Sequence, residues 1–193
     1  MSKEKLFTKT LFLLGLALGN RASELHSILR SQRFIIFARH KHSVKILPNP
    51  SFLTKNEAPG FRRKPMIIKA LLKRDGSHHP LCPVNTLSLY LHATRSYNGT
   101  HLFFNPSSGV QCNAGHINYF VRKLIRLSQP GVYARFHDLC KFAAWNAFWN
   151  GMKWRDIRIR GFWRTNSVLA RQYLANATPS HVPCVALGEV CNT

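Results

Sequence analysis

A chain of 193 residues with 45% hydrophobic and 11% aromatic side chains can bury a real core in one domain, which excludes global disorder. Its 28 Lys and Arg against 7 Asp and Glu leave a formal charge of +21, spread over the whole length. Such a chain repels itself unless a polyanion neutralises it, so nucleic acid is the leading partner; a surface made basic for solubility alone would tolerate far more acidic residues.

Residues 1–8 read as a lead-in, and 9–18, "KTLFLLGLAL", as a buried helix that Gly19 ends in a left-handed conformation. Asn20 then reads as N-cap of a second helix, "RASELHSILR", with Glu24 in its first turn. Residues 33–47, "RFIIFARHKHSVKIL", alternate in part and are rich in β-branched and aromatic side chains. "PNPS", "SFLTKNE" and a Pro/Gly break lead to "KPMIIKALL", so this region predicts a small three-stranded antiparallel meander with Lys55 near a hairpin.

Pro80 and Pro83 introduce the helix "VNTLSLYLHATRSY", and "THLFFNPSSG" is strand-like. "AGHINYFVRKLIRLS" is an amphipathic helix closed by "QPG". Residues 135–151, "RFHDLCKFAAWNAFWNG", form another helix with Gly151 as its stop, followed by a short basic one, "KWRDIRIRG". "TNSVLARQYLANA" is the last helix, and 178–193 show no periodicity. The expected fold is α+β, mainly helical with one small sheet, in a unit spanning 9–175 with a tail at 176–193.

Five cysteines (Cys82, Cys112, Cys140, Cys184, Cys191) are odd in number and free of CxxC pairs, which suits a reducing compartment. "HHPLC" at 78–82 has no second ligand pair at metal spacing, so zinc is set aside. A rival reading comes from "MSKEKLFTKTLFLLGLALG", whose basic start, short apolar run and small residues at Ala17 and Gly19 are those of a secretory signal. Sequons at Asn98 and Asn176 are compatible with that secreted, cationic alternative. The apolar run is too short to span a bilayer, so no membrane role is expected.

Arg21 stands in the opening turn of a helix, where the macrodipole disfavours a cation unless an anion joins it. Two readings stay open: a phosphate ligand, or an ordinary i,i+3 pair with Glu24. Lys55 beside a turn and Tyr173 in the last helix are unremarkable singly. His137 and Cys140 lie one helical turn apart on a shared face. Trp163 offers an indole N–H.

Taken in order, this set resembles the catalytic domain of the tyrosine recombinases, the phage-integrase family. The family's first box, an apolar helix, a glycine and an arginine with an acidic residue three on, is matched by "LLGLALGNRASEL" at Arg21 and Glu24. "FLTKNE" supplies the hairpin lysine as Lys55, and "HDLCKFAA" matches the His-x-x-Arg box at His137 and Asp138. "RGFWRTNSVLARQYL" places Trp163 ten residues before Tyr173. The wording of the second and third boxes looks nearer to eukaryotic transposon-borne members.

The resemblance implies double-stranded DNA as substrate, strand breaking and rejoining through a 3′-phosphotyrosyl link, no cofactor or metal, and several protomers acting together on DNA. It implies a nuclear location in a eukaryote and a cytoplasmic one otherwise. Tyr173 would be the nucleophile; with a phenol pKa of about 10 it needs a base, for which His137 is the candidate. Arg21 and Trp163 would stabilise charge on the non-bridging oxygens, and Lys55 would protonate the leaving oxygen.

Cys140 departs from the pattern, because the family has its second arginine there. A thiol cannot reproduce a guanidinium's bidentate grip, and losing one preorganised donor costs about 10²–10³ in rate. Lys141 points about 100° round the helix from position 140, so the sequence gives it no claim to substitute. Relatives also carry a preceding DNA-binding domain, which eight residues cannot form. The alternative is thus an inactive DNA-binding remnant of the same fold, left by decay of a mobile element. An RNA-binding module is disfavoured by the lack of RRM or KH signatures.

Overall fold

The computed structural model describes residues 1–53, 64–131 and 133–161. Helix α1 (Lys3–Leu18) begins at Lys3 rather than at residue 9, with Ser2 as its cap: the Lys5 N–H donates to Ser2 Oγ at 3.3 Å. The apolar run alone hid this start, because the charged first turn (Lys3, Glu4, Lys5) is exposed while Leu6 and Phe7 directly behind it are buried. Gly19 closes the helix at φ +62°, a left-handed conformation that suits glycine.

Helix α1 is the centre of the core. It packs against α3 (Pro83–Ala93), α4 (Ala114–Ser128) and α5 (Phe136–Trp149), burying Leu6, Phe7, Leu11 and Leu14. The Phe7 ring meets Phe120 edge to face at 4.8 Å and Phe103 at 5.8 Å, an arrangement favourable to aromatic quadrupoles. At Gly15 an added Cβ would stand 2.9 Å from Leu139 Cδ2 and 3.1 Å from Phe136 Cζ. The missing side chain therefore lets α5 cross α1 closely, which brings the start of α5 to the end of α1.

The sheet is an antiparallel meander in the order β1 (Ile35–Phe37), β2 (Ser43–Ile46), β3 (Met66–Lys69). The strand-like stretch 33–47 is therefore a hairpin, reversed at a 3-10 turn (Arg39–Lys41) in which His40 and Lys41 take φ of +54° and +56°. Alternation assigns the faces: Ile35 and Ile46 pair on the core side, while Ile36, Lys45 and Ile67 line up on the outer side. In sequence, Lys55 falls between β2 and β3, outside the described residues.

The stretch 100–109 is a correction to the expected strand. It makes only isolated bridges, Leu29 with His101 and Phe104 with Gln111. Leu102, Phe103 and Phe104 are buried in succession rather than alternately, so the segment is held by packing and by scattered hydrogen bonds such as Leu102 N–H to the Ile28 carbonyl at 2.7 Å. Cys82 of "HHPLC" is the N-cap of α3, its sulfur accepting from the Asn85 N–H at 3.5 Å and the Leu71 N–H at 3.3 Å. Among the described residues no three metal-ligating side chains come together, and no helix is long and apolar enough to cross a membrane. Helix α6 (Trp154–Gly161) follows α5 and packs on it.

Candidate active site

Arg21, not Asn20, is the N-cap of the short helix α2 (Ala22–His26). Asn20 is fully buried one residue earlier, with its amide directed at Met66 Sδ, 3.4 Å away. The reason is Glu24: its buried carboxylate accepts the Arg21 backbone N–H at 2.8 Å, satisfying the helix start from within. The other carboxylate oxygen meets Arg21 Nη1 at 3.4 Å. The i,i+3 pair thus exists, and it orients the guanidinium rather than consuming it. Arg21's side chain stays 28% exposed, with further N–H groups to offer an anion.

Arg135 is the N-cap of α5, and its backbone N–H donates to Asp138 Oδ2 at 2.8 Å. His137 follows in the exposed first turn. Its pKa lies below the usual 6.5, first because the imidazolium is partly desolvated and then because Lys141, Arg21 and Arg135 repel its charge against the weaker pull of Asp138. The shift favours the neutral imidazole, the form able to take a proton. Arg21 is among the cations that act on it through space, which puts the two partly exposed side chains in one electrostatic neighbourhood.

Cys140 sits behind them and is only 1% exposed. Its thiol donates to the Asn20 carbonyl at 2.9 Å, tying α5 to the α1–α2 junction. Burial pushes its pKa up to about 12, with the Glu24 carboxylate adding to the rise and Arg21 opposing it. An uncharged, inward-pointing thiol gives a phosphate no cationic partner. The structure thus brings Arg21, Glu24, His137 and Cys140 together; Lys55, Trp163 and Tyr173 lie outside the described residues.

Lys141, set aside above as a substitute for an arginine at position 140, is a near neighbour of His137. Measured from position 140 it points elsewhere, but it stands one turn (i,i+4) from His137 and is the strongest charge acting on that imidazole. Its Nζ also pairs with Asp138 Oδ1 at 3.5 Å. The i,i+4 spacing from His137, rather than the offset from position 140, is the sequence signal for this neighbour.

Neither a protein-family model nor a curated protein sequence matches the chain. Solved structures do. XerA recombinase superposes with a TM-score of 0.60 at 16% identity, covering 92% of this chain and 60% of that one. XerH site-specific recombinase bound to its difH substrate, a pre-cleavage complex, gives 0.65 at 13% identity over 88% of this chain and 43% of its own. A lambda integrase (75–356) dimer bound to a COC′ core site gives 0.56 at 11% identity over 94% and 56%. The fold is that of a tyrosine-recombinase catalytic domain, mostly helical with a three-stranded antiparallel sheet. The chain spans less than two thirds of the length of each of these structures.

Proposed function

We propose that this chain binds the backbone of double-stranded DNA, with Arg21 and His137 around one phosphate, and that it carries an impaired strand-breaking and rejoining site. The observation that supports this reading is that Arg21 and His137, from two separate boxes, act on each other through space, with Cys140 buried behind them and bonded to the residue before Arg21. In the reaction, Tyr173 loses its phenolic proton to His137 and its oxygen attacks phosphorus. The bond to the 5′-oxygen breaks, and that oxygen takes a proton from Lys55. Arg21 and Trp163 hold the non-bridging oxygens, and reversal with a new 5′-hydroxyl rejoins the strand.

A second reading, an inactive DNA-binding remnant, is favoured by Cys140 itself, whose neutral thiol faces a backbone carbonyl rather than the phosphate region. The two readings part on a nicked suicide duplex, from which the product of cleavage diffuses away. Denaturing gels after incubation with the unaltered chain are expected to show duplex binding but little covalent protein–DNA adduct. Abundant adduct would contradict the impairment, and absence of duplex binding would remove both readings.

A further inference from the structure

The densest exposed aromatic surface described lies on the far side of α5 from its buried face. Phe142, Trp145 and Trp149 recur at i, i+3 and i+7, whereas Phe136, Leu139, Cys140 and Ala144 face the core. Phe142 is 38% exposed, Trp149 49%, and Trp154 at the start of α6 37%. The rings form a connected row, with centroids 6.1 Å apart from Phe142 to Trp145 and 6.0 Å from Trp145 to Trp149. Phe148 continues it, 5.9 Å from Trp149 and 4.9 Å from Trp154. Trp149 meets both neighbours at 75°, so among the described residues no ring lies parallel to it. Trp145 and Phe148 are only partly exposed, with the Trp145 Nε1 buried, and they link the three exposed rings of Phe142, Trp149 and Trp154 into one surface that meets something.

Cations neighbour the rings along the chain. Lys153 and Arg155 flank Trp154 and are exposed, and half-buried Lys141 lies beside Phe142 in sequence. Flat rings for bases and cations for phosphates are the two elements of single-strand binding. We propose that this face binds single-stranded DNA, with unpaired bases stacked on Trp149, Trp154 and Phe142 and phosphates held by Lys153 and Arg155. A duplex keeps its bases stacked on one another and cannot use the rings, so this ligand differs from that of the Arg21–His137 region, and the inference does not rest on that reading. Asn146 and Asn150 stand beside these rings, but the Asn150 amide donates to the Asn146 carbonyl at 2.7 Å and to its Oδ1 at 3.2 Å, so the two are engaged with each other rather than turned to a 2′-hydroxyl, which favours DNA over RNA. A second copy of the chain is disfavoured, because it would set one +21 charge against another.

The test uses the full chain and a thymidine oligomer of about 12 nucleotides, within the range of known single-strand sites. Three of the four tryptophans stand in the row, so intrinsic emission should be quenched on titration. Trp149→Ala and Trp154→Ala should each weaken binding about tenfold, as loss of one base–ring stack does. Trp149→Phe should retain most of the affinity, and an abasic oligomer of equal length should bind far more weakly. Phe142→Ala provides an independent variant should either alanine variant lose its circular-dichroism signature. Duplex affinity should survive in all of them. Equal binding of the abasic oligomer, undiminished binding by folded ring variants, tighter binding of a uridine oligomer, or self-association that Trp149→Ala abolishes would each overturn the proposal.

Discussion

The Cys140 thiol donates to the Asn20 carbonyl at 2.9 Å, setting position 140 directly against the residue before Arg21. This contact makes α5 and the α1–α2 junction one rigid corner. It also shows what a larger side chain would meet there: the buried Glu24 carboxylate, which is the strongest charge acting on Cys140, and the Arg21 guanidinium, which opposes it.

Cys140→Arg is therefore expected to be accommodated with its charge balanced by Glu24, and to raise the yield of covalent adduct on the suicide duplex. A gain of about tenfold or more is anticipated, given that one preorganised donor is worth about 10²–10³ in rate. An unchanged yield in a folded variant would show that position 140 is not what limits the reaction.

Phe7→Ala tests whether the amino-terminal helix belongs to the folded unit. Phe7 is 1% exposed and touches Phe103 and Phe120 edge to face, so its truncation should cost about 3–5 kcal/mol in urea unfolding. A loss below about 1 kcal/mol would mean that α1 is dispensable, as a cleaved secretory signal would be.

Stability should fall as pH drops below about 6.5. His101 stacks on His26 with ring centroids 5.3 Å apart and planes 7° from parallel, and the His26 Nδ1–H donates to the Cys112 carbonyl at 2.8 Å. Desolvation first, then the charge of His26, holds His101 below its usual pKa, and His137 is lowered as well. For a histidine lowered in the folded state, the unfolded chain takes up its proton first. Stability is thus lost as pH falls from the unfolded value to the folded one, with no further loss below it. Urea midpoints between about pH 7.5 and 5 should decline, and His101→Gln should flatten the decline. A midpoint rising toward pH 5 would contradict the assignment.

Elements whose local chemistry carries its own period and caps were legible in the sequence. Helix α4 occupies the stretch read for it, because Asn113 caps it and its apolar stripe repeats at helical spacing. Arg21 and His137, taken from two separate stretches of sequence, lie near enough for their charges to interact, with Cys140 bonded to the residue before Arg21. Three features depended on tertiary partners instead. Asn20 lost the cap position because a buried Glu24 satisfied the helix start from inside. Residues 100–109 lacked a continuous strand neighbour, so strand-like composition produced only single bridges. Lys141 acts on His137 from one turn away, a relationship hidden when the helix is counted from Cys140.

The most direct measurement is the salt dependence of duplex DNA binding by the unaltered chain and by Arg21→Ala. If Arg21 holds a backbone phosphate, affinity should fall steeply with salt, and the variant should bind more weakly on every sequence with a log–log slope shallower by about 1. A flat titration, or a variant with the same slope and affinity, would contradict the account.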